Sequence, residues 1–155
     1  MKYILFENEI ENNVYHKLIE YTIEPVKANL YNVLKNNVTI MDFIWNLISF
    51  NKCTLYLCRN EDRKIIHRSR VVGKNFKYKF LDKHQAEIGP CYTSKDYRGK
   101  GIYPAVLSFI LNENKFSKYY MLVREDNESS LRGVRKAGFK ECGFVAKTKR
   151  GWIRE

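Results

Sequence analysis

The chain has 155 residues, 45% of them apolar, which suits one domain with one packed core and excludes a disordered chain. Lys and Arg outnumber Asp and Glu by 28 to 17, a net charge of +11 that attracts nucleic acid, anionic membranes or anionic small molecules. No apolar run is long enough to span a bilayer, and Met1 to Glu11 carry several acids without a long apolar segment, so no membrane span or secretory leader is expected and a cytoplasmic location follows. The cysteines, Cys53, Cys58, Cys91 and Cys142, form no C-x-x-C pair, and the histidines are scattered; reduced thiols and no metal site are expected.

Residues 12–36 carry Val14, Leu18, Ile19 and Ile23, then Val26, Leu30, Val33 and Leu34, at helical spacing, with Pro25 opening the second half. Thr39 to Asn51 reads as another helix, capped by Thr39 or Asp42, with Phe43, Ile44, Leu47 and Ile48 on one face. From residue 52 the pattern turns to strands: Cys53 to Cys58, Lys64 to Val72, a strand-like or irregular Phe76 to Phe80, and Ala86 to Thr93. Gly89-Pro90 interrupts the last of these and calls for an edge or a bulge. A helix over 104–114, a strand Tyr119 to Val123, a short helix Leu131 to Ala137 closed by Gly138, and a final strand Phe139 to Lys147 complete the chain. This order gives one α+β (mixed α/β) domain over 1–155, with a helical part at 1–51 and a sheet part at 52–155.

The segment between the Ala86–Thr93 strand and the next helix is Tyr97-Arg98-Gly99-Lys100-Gly101-Ile102-Tyr103-Pro104. Two glycines let the backbone bend and approach a ligand closely, and Pro104 fits the first turn of a helix, where its missing N–H costs nothing. A glycine turn feeding a helix N-terminus presents free N–H groups to a phosphate. Arg98 and Lys100 add positive charge there.

These residues resemble the Gcn5-related N-acetyltransferase (GNAT) family, whose hallmark Q/R-x-x-G-x-G/A is matched in its first four positions by Arg98, Gly99, Lys100 and Gly101. A second family pattern, an Asn followed by a short helix ending in K-x-G-F, is matched by Asn127 and by Lys136-Ala137-Gly138-Phe139. The two together, covering residues 53–147, are more specific than either alone. The resemblance implies a mostly antiparallel twisted sheet flanked by helices, in which the family's fourth strand splays from the fifth. It implies acetyl-CoA as cosubstrate, with its pyrophosphate on the loop amides and its pantetheine in the splay. Cys91, Tyr92 and Thr93 would then lie along the pantetheine, Arg98, Gly99, Lys100, Gly101, Ile102 and Tyr103 around the pyrophosphate, and Asn127, Ser129 and Ser130 beside the cofactor. Two positions depart from the pattern: Tyr103 stands where the family prefers Gly or Ala, and Val134 where many members have a Tyr as general acid.

Direct attack of an amine on a thioester needs a base, donors for the carbonyl oxygen and a proton for the leaving thiolate. Glu87, on the fourth strand, is the first candidate base, and His67, on the neighbouring strand, the second. Each has a plain alternative, a salt-bridged strand Glu and a hydrogen-bonded sheet His. Tyr92, Tyr97 and Tyr103 are candidate acids or packing residues; Asn127 and Ser129 are equally good helix caps; Cys91 lacks a paired base and reads as packing. His84 falls in an exposed loop. The phrase Arg98-to-Pro104, with Ile66-His67-Arg68-Ser69, is most similar to members that modify amino sugars of surface-polysaccharide pathways; a nucleotide-linked sugar suits the basic surface. Peptide N-termini are the alternative acceptor, and a homodimer is compatible with the sequence. A basic nucleic-acid-binding module leaves the glycine loop unexplained, and a non-catalytic CoA-binding protein would fit Val134.

Overall fold

The computed structural model describes residues 2–9, 21–35, 37–149 and 151–155. Their order is β1 (Tyr3–Glu9), β2 (Thr22–Lys27), α1 (Leu30–Leu34), α2 (Ile40–Ile48), β3 (Cys53–Arg59), β4 (Ile65–Gly73), β5 (Gln85–Thr93), α3 (Ile102–Asn112), β6 (Lys118–Arg124), α4 (Glu128–Lys136), β7 (Lys140–Thr148) and β8 (Gly151–Arg154). The strands form one sheet in the order β2-β3-β4-β5-β6-β1-β7-β8, and only the β5–β6 pair is parallel. One face packs under α3 and α4 through residues such as Phe6, Ile88, Val106, Leu131 and Val134. The opposite face packs under α1, α2 and the 76–81 loop through Leu5, Leu55, Val72, Tyr78 and Trp45.

The N-terminal third differs from the helical reading. Residues 12–20 and 36 of the expected helical stretch lie outside the described residues. Thr22–Lys27 is an edge strand, with Pro25 opposite Tyr56, and among the described residues of the stretch only Leu30–Leu34 is helical. An edge tolerates a proline because its missing N–H is not needed on the outer side. The second apolar set joined Val26 of a strand to Leu30, Val33 and Leu34 beyond it, and Ile23, the one described member of the first set, belongs to the same strand.

β1 is the element the sequence pattern did not reveal. It sits inside the sheet, antiparallel to both β6 and β7, and places Leu5 and Phe6 on opposite faces with no solvent exposure. Its short apolar run is the mark of a strand buried on both faces, but a run of that length has no periodicity to read. β8 was likewise not anticipated, and Phe76–Phe80 is irregular.

Elsewhere the local chemistry acts as expected. Thr39 caps α2 in a capping box: the Asp42 N–H donates to Thr39 Oγ1 at 3.2 Å and the Thr39 N–H donates to Asp42 Oδ2 at 2.9 Å. Gly138 closes α4 with φ +86°. Because β1 joins both layers of the core, Leu5→Ala and Phe6→Ala should each lower unfolding free energy by roughly 3 kcal/mol. Denaturant midpoints check this; losses within a few tenths would mean that β1 is dispensable.

Candidate functional site

β5 pairs antiparallel with β4 along most of its length but pairs with β6 only through Gln85–Glu87, opposite Lys118–Tyr120. Beyond Glu87 the two parallel strands separate. The cause lies in the β4–β5 register: Val71 faces Ile88 and Ser69 faces Cys91, so Gly89 and Pro90 together oppose Arg70. That is a β-bulge, which bends the strand carrying the extra residue. Arg70 Nε donates to the Gly89 carbonyl at 3.1 Å across it.

The bulge opens one wall of a cavity of about 590 Å³. Cys91, Tyr92 and Thr93 of β5 line it, with Arg98, Gly99, Gly101, Ile102 and Tyr103 from the glycine loop and α3, and Asn127, Ser129 and Ser130 from the start of α4. The structure thus brings together every sequence-derived binding residue except Lys100, whose Nζ lies 4.9 Å over the Tyr97 ring instead. Gly99 and Gly101 have φ of +78° and +75°, which side-chain-bearing residues rarely adopt. A Cβ at either glycine would meet nothing within 4 Å, so the loop is open toward the cavity. Gly101 is the N-cap of α3, and the first helical bond runs from the Ala105 N–H to its carbonyl. The preceding amides of the first turn therefore stand outside the helix ladder, at its positive end. Pro104, lacking an N–H, falls within that turn without loss.

Tyr97 and Pro104 also line the cavity. Arg132, Gly133 and Lys136, which were not anticipated, complete the wall. With Ser129 they fall at i, i+3, i+4 and i+7, one face of α4, a spacing legible in the sequence once the helix is placed. Asn127 and Ser129 have a second role. Asn127 Oδ1 accepts from the Ser130 N–H at 3.2 Å and from Ser129 Oγ at 3.1 Å, so the helix cap and the cavity wall are the same residues.

Tyr103 turns away from the loop and lies against α4. A Cβ on Gly133 would fall 2.5 Å from its Cδ1, so the ring occupies the space that a side chain there would fill. Its hydroxyl lies 3.3 Å from Ser130 Oγ, inside the cavity wall. Val134, the neighbouring position, is fully buried in the core.

Neither candidate base lines the cavity. His67 is 1% exposed; its Nδ1 lies 2.7 Å from Thr93 Oγ1 and its Nε2 2.7 Å from Ser69 Oγ. Burial pushes its pKa down to about 4, so it is neutral at pH 7 with both ring nitrogens engaged. Glu87 is 4% exposed, and its Oε2 has no hydrogen-bond partner. Its Oε1 lies 2.5 Å from where a Gly89 Cβ would be, so the carboxyl rests on the bulge itself. Burial raises its pKa to about 8, against the opposing pull of Arg70 and the Tyr78 hydroxyl. Burial pushes the Cys91 thiol up to about 12, which keeps it protonated and unfit as a nucleophile.

No protein-family model and no curated protein matches the chain. Solved structures do. An acetyltransferase of the GNAT family from Colwellia psychrerythraea superposes with a TM-score of 0.61 at 14% identity, covering 91% of this chain and 53% of its own. The fold is that of the GCN5-related N-acetyltransferases. AAC(6')-Ib in complex with paromomycin and acetyl-CoA gives 0.58 at 15% identity, covering 87% and 90%. A GCN5-related N-acetyltransferase from Kribbella flavida gives 0.58 at 11%, covering 91% and 55%. The chain spans about half the length of the Colwellia and Kribbella proteins. The GNAT fold accounts for the one parallel strand pair and for its separation at the bulge.

Two measurements test this geometry. An exposed helical Gly→Ala change ordinarily stabilises by up to ~1 kcal/mol, but Gly133→Ala should destabilise by roughly 1–3 kcal/mol through overpacking on Tyr103. In a Tyr103→Ala background the same change should be neutral or stabilising, and an additive double-mutant cycle would refute the contact. Glu87, with its folded pKa above its unfolded value, contributes stability that is complete below about pH 4.5 and lost as pH rises through about 8. Urea unfolding of the parent and of Glu87→Gln should therefore diverge by roughly 3 kcal/mol in favour of the variant between pH 5 and 8. A constant difference would mean that the carboxyl is not held protonated.

Proposed function

We propose that the chain is an acetyl-CoA-dependent N-acetyltransferase in which a primary amine attacks the thioester directly. The observation that carries this is the meeting, in one cavity, of the left-handed glycine loop, the α3 N-terminus and the α4 cap beside a strand pair that separates at a bulge. The fit to a CoA pyrophosphate rests on the open glycines, the free first-turn amides and the cations Arg98, Arg132 and Lys136 on the rim. Cys91 to Thr93 provide the strand along which a pantetheine arm would lie. Acetyl-CoA supplies an activated acyl carbon and a thiolate leaving group.

Glu87 is the base in this reading. In its ionised form, which grows as pH rises toward about 8, its unpartnered Oε2 takes the first proton that the ammonium must lose before the amine attacks, and the raised pKa makes that carboxylate the stronger base. As the new C–N bond forms, the C–S bond breaks, the electron pair leaves on sulfur, and the nitrogen's second proton is the one that neutralises the thiolate. Tyr103 offers a neutral hydroxyl in the cavity wall to donate to the departing sulfur, while His67 serves as a strut between β4 and β5. The acceptor we favour is an amino sugar, free or nucleotide-linked, of a surface-polysaccharide pathway. The fold likeness to AAC(6')-Ib, described with kanamycin and with paromomycin, supports an amino-sugar acceptor because aminoglycosides are built of such sugars. The basic surface supports a diphosphate-linked one.

Calorimetry with acetyl-CoA and with RNA, followed by thiol release across an amine panel, tests the proposal. Acetyl-CoA should bind and RNA should not. Gly101→Val should weaken acetyl-CoA binding by about tenfold or more by forcing a β-branched residue to positive φ. Glu87→Gln should lower kcat by roughly 100-fold without changing that binding. Absence of acetyl-CoA binding at millimolar concentration would end the proposal, and binding without thiol release from any amine would leave a non-catalytic CoA-binding protein.

A further inference from the structure

We infer that Arg70 is a positioning residue for acetyl transfer: from β4 its guanidinium holds the β5 bulge at the Gly89 carbonyl and, within electrostatic reach of Glu87, ties the shape of the strand separation to the charge of the base. The inference rests on the reading of Glu87 as base.

Arg70 is the single residue of β4 that faces both bulge residues. Its side chain is only 11% exposed, and three contacts keep it from swinging away. Nε donates to the Gly89 carbonyl at 3.1 Å, Nη1 lies 3.7 Å from Asp42 Oδ1, and the guanidinium carbon lies 4.5 Å over the Trp45 ring. Asp42 is itself fixed, since its Oδ2 accepts from the Thr39 N–H, from Thr39 Oγ1 and from Arg68 Nη2. The N-terminus of α2 therefore anchors the cation, and the cation anchors the bulge. Glu87 rests on Gly89, the same residue whose carbonyl Arg70 holds.

The surroundings leave few other charges to act on that carboxyl. Cys53 from β3 and Tyr78 from the loop over β4 share the face of the pair, Cys91 from β5 and Tyr103 from α3 line the cavity on the other face, and burial keeps each of them protonated and neutral. Lys77 lies farther out, 4.9 Å over the Trp45 ring. Burial raises the carboxyl's pKa, and Arg70, itself paired with Asp42, is the charge that opposes it. A guanidinium suits the post because it can donate to a carbonyl while its charge is shared with a carboxylate and an aromatic face.

Glu87 is followed by carbon-13 NMR of glutamate-labelled protein without substrates, alongside the pH profile of kcat/KM. Arg70→Met should move the Glu87 midpoint up by roughly one pH unit, with the acidic limb of kcat/KM following it. Arg70→Lys should leave both near the parent, because the charge is kept, yet lower kcat severalfold, because the compact ammonium loses the bond to Gly89. Asp42→Asn, which keeps a capping side chain, should move the midpoint down, so a failure of Arg70→Met to fold still leaves an opposite-signed test. A midpoint unmoved in Arg70→Met, or in Asp42→Asn should Arg70→Met not fold, would overturn the inference. If instead the parent shows no turnover, or Glu87→Gln keeps an unshifted acidic limb, the reading of Glu87 as base falls while the NMR titration still judges Arg70.

Discussion

The constraint on which the rest of the site depends is the mismatch of two residues of β5 against one of β4 at Gly89-Pro90. A strand in the middle of a sheet must satisfy neighbours on both sides. The extra residue lets β5 keep its ladder with β4 but takes it out of register with β6, where pairing stops after Glu87. Each residue at the bulge suits the break. Gly89 has no side chain to collide with the Glu87 carboxyl lying over it, and Pro90 has no N–H to leave unpaired. The Gly89 carbonyl finds a donor in Arg70, so the opening is fixed by a buried cation on the α2 face while the cavity it creates lies on the α3 face.

The cavity's other wall shows volume exchanged between helices. Tyr103 puts an aromatic ring on the first turn of α3, close to backbone that must stay open, and Gly133 on α4 removes the side chain that would oppose it. The ring leaves the glycine loop clear and carries its hydroxyl to Ser130. The departures at Tyr103 and Val134 are linked through this contact. Val134 turns into the core, and the one tyrosine hydroxyl that approaches α4 here comes from α3.

How much of this the sequence disclosed follows from how local each feature is. The glycine loop, the α2 cap, the α4 cap and the Gly89-Pro90 break are written in consecutive residues, and each was legible. β1 was not: Leu5 and Phe6 are buried by strands more than a hundred residues away, and their short apolar run carries no period. β2 was misread because Pro25 is a helix-opening signal in isolation and an edge-strand residue only once β3 is beside it. Arg70 looked like one cation among several, since its place opposite the bulge depends on a register that spacing cannot give. Gly133 was silent for the same reason, its meaning residing in Tyr103.

The two buried titratable groups of β4 and β5 make a consistent electrostatic picture. Burial lowers the pKa of His67 and raises that of Glu87, and near neutral pH it favours the uncharged form of both. The charges that remain lie outside: Arg98, Arg132 and Lys136 around the cavity mouth, and the Arg70–Asp42 pair on the other face. On the proposed reading, an anionic cosubstrate is therefore drawn to the α3 side, where an ammonium ion is repelled. Glu87 instead points to the α2 side, toward Tyr78 and Arg70, with Asp42 paired to Arg70 and Arg68 there. In that reading the strand separation lets the base act from the α2 face on a thioester held from the α3 face, with Gly89 in contact with both the carboxyl and the Arg70 guanidinium.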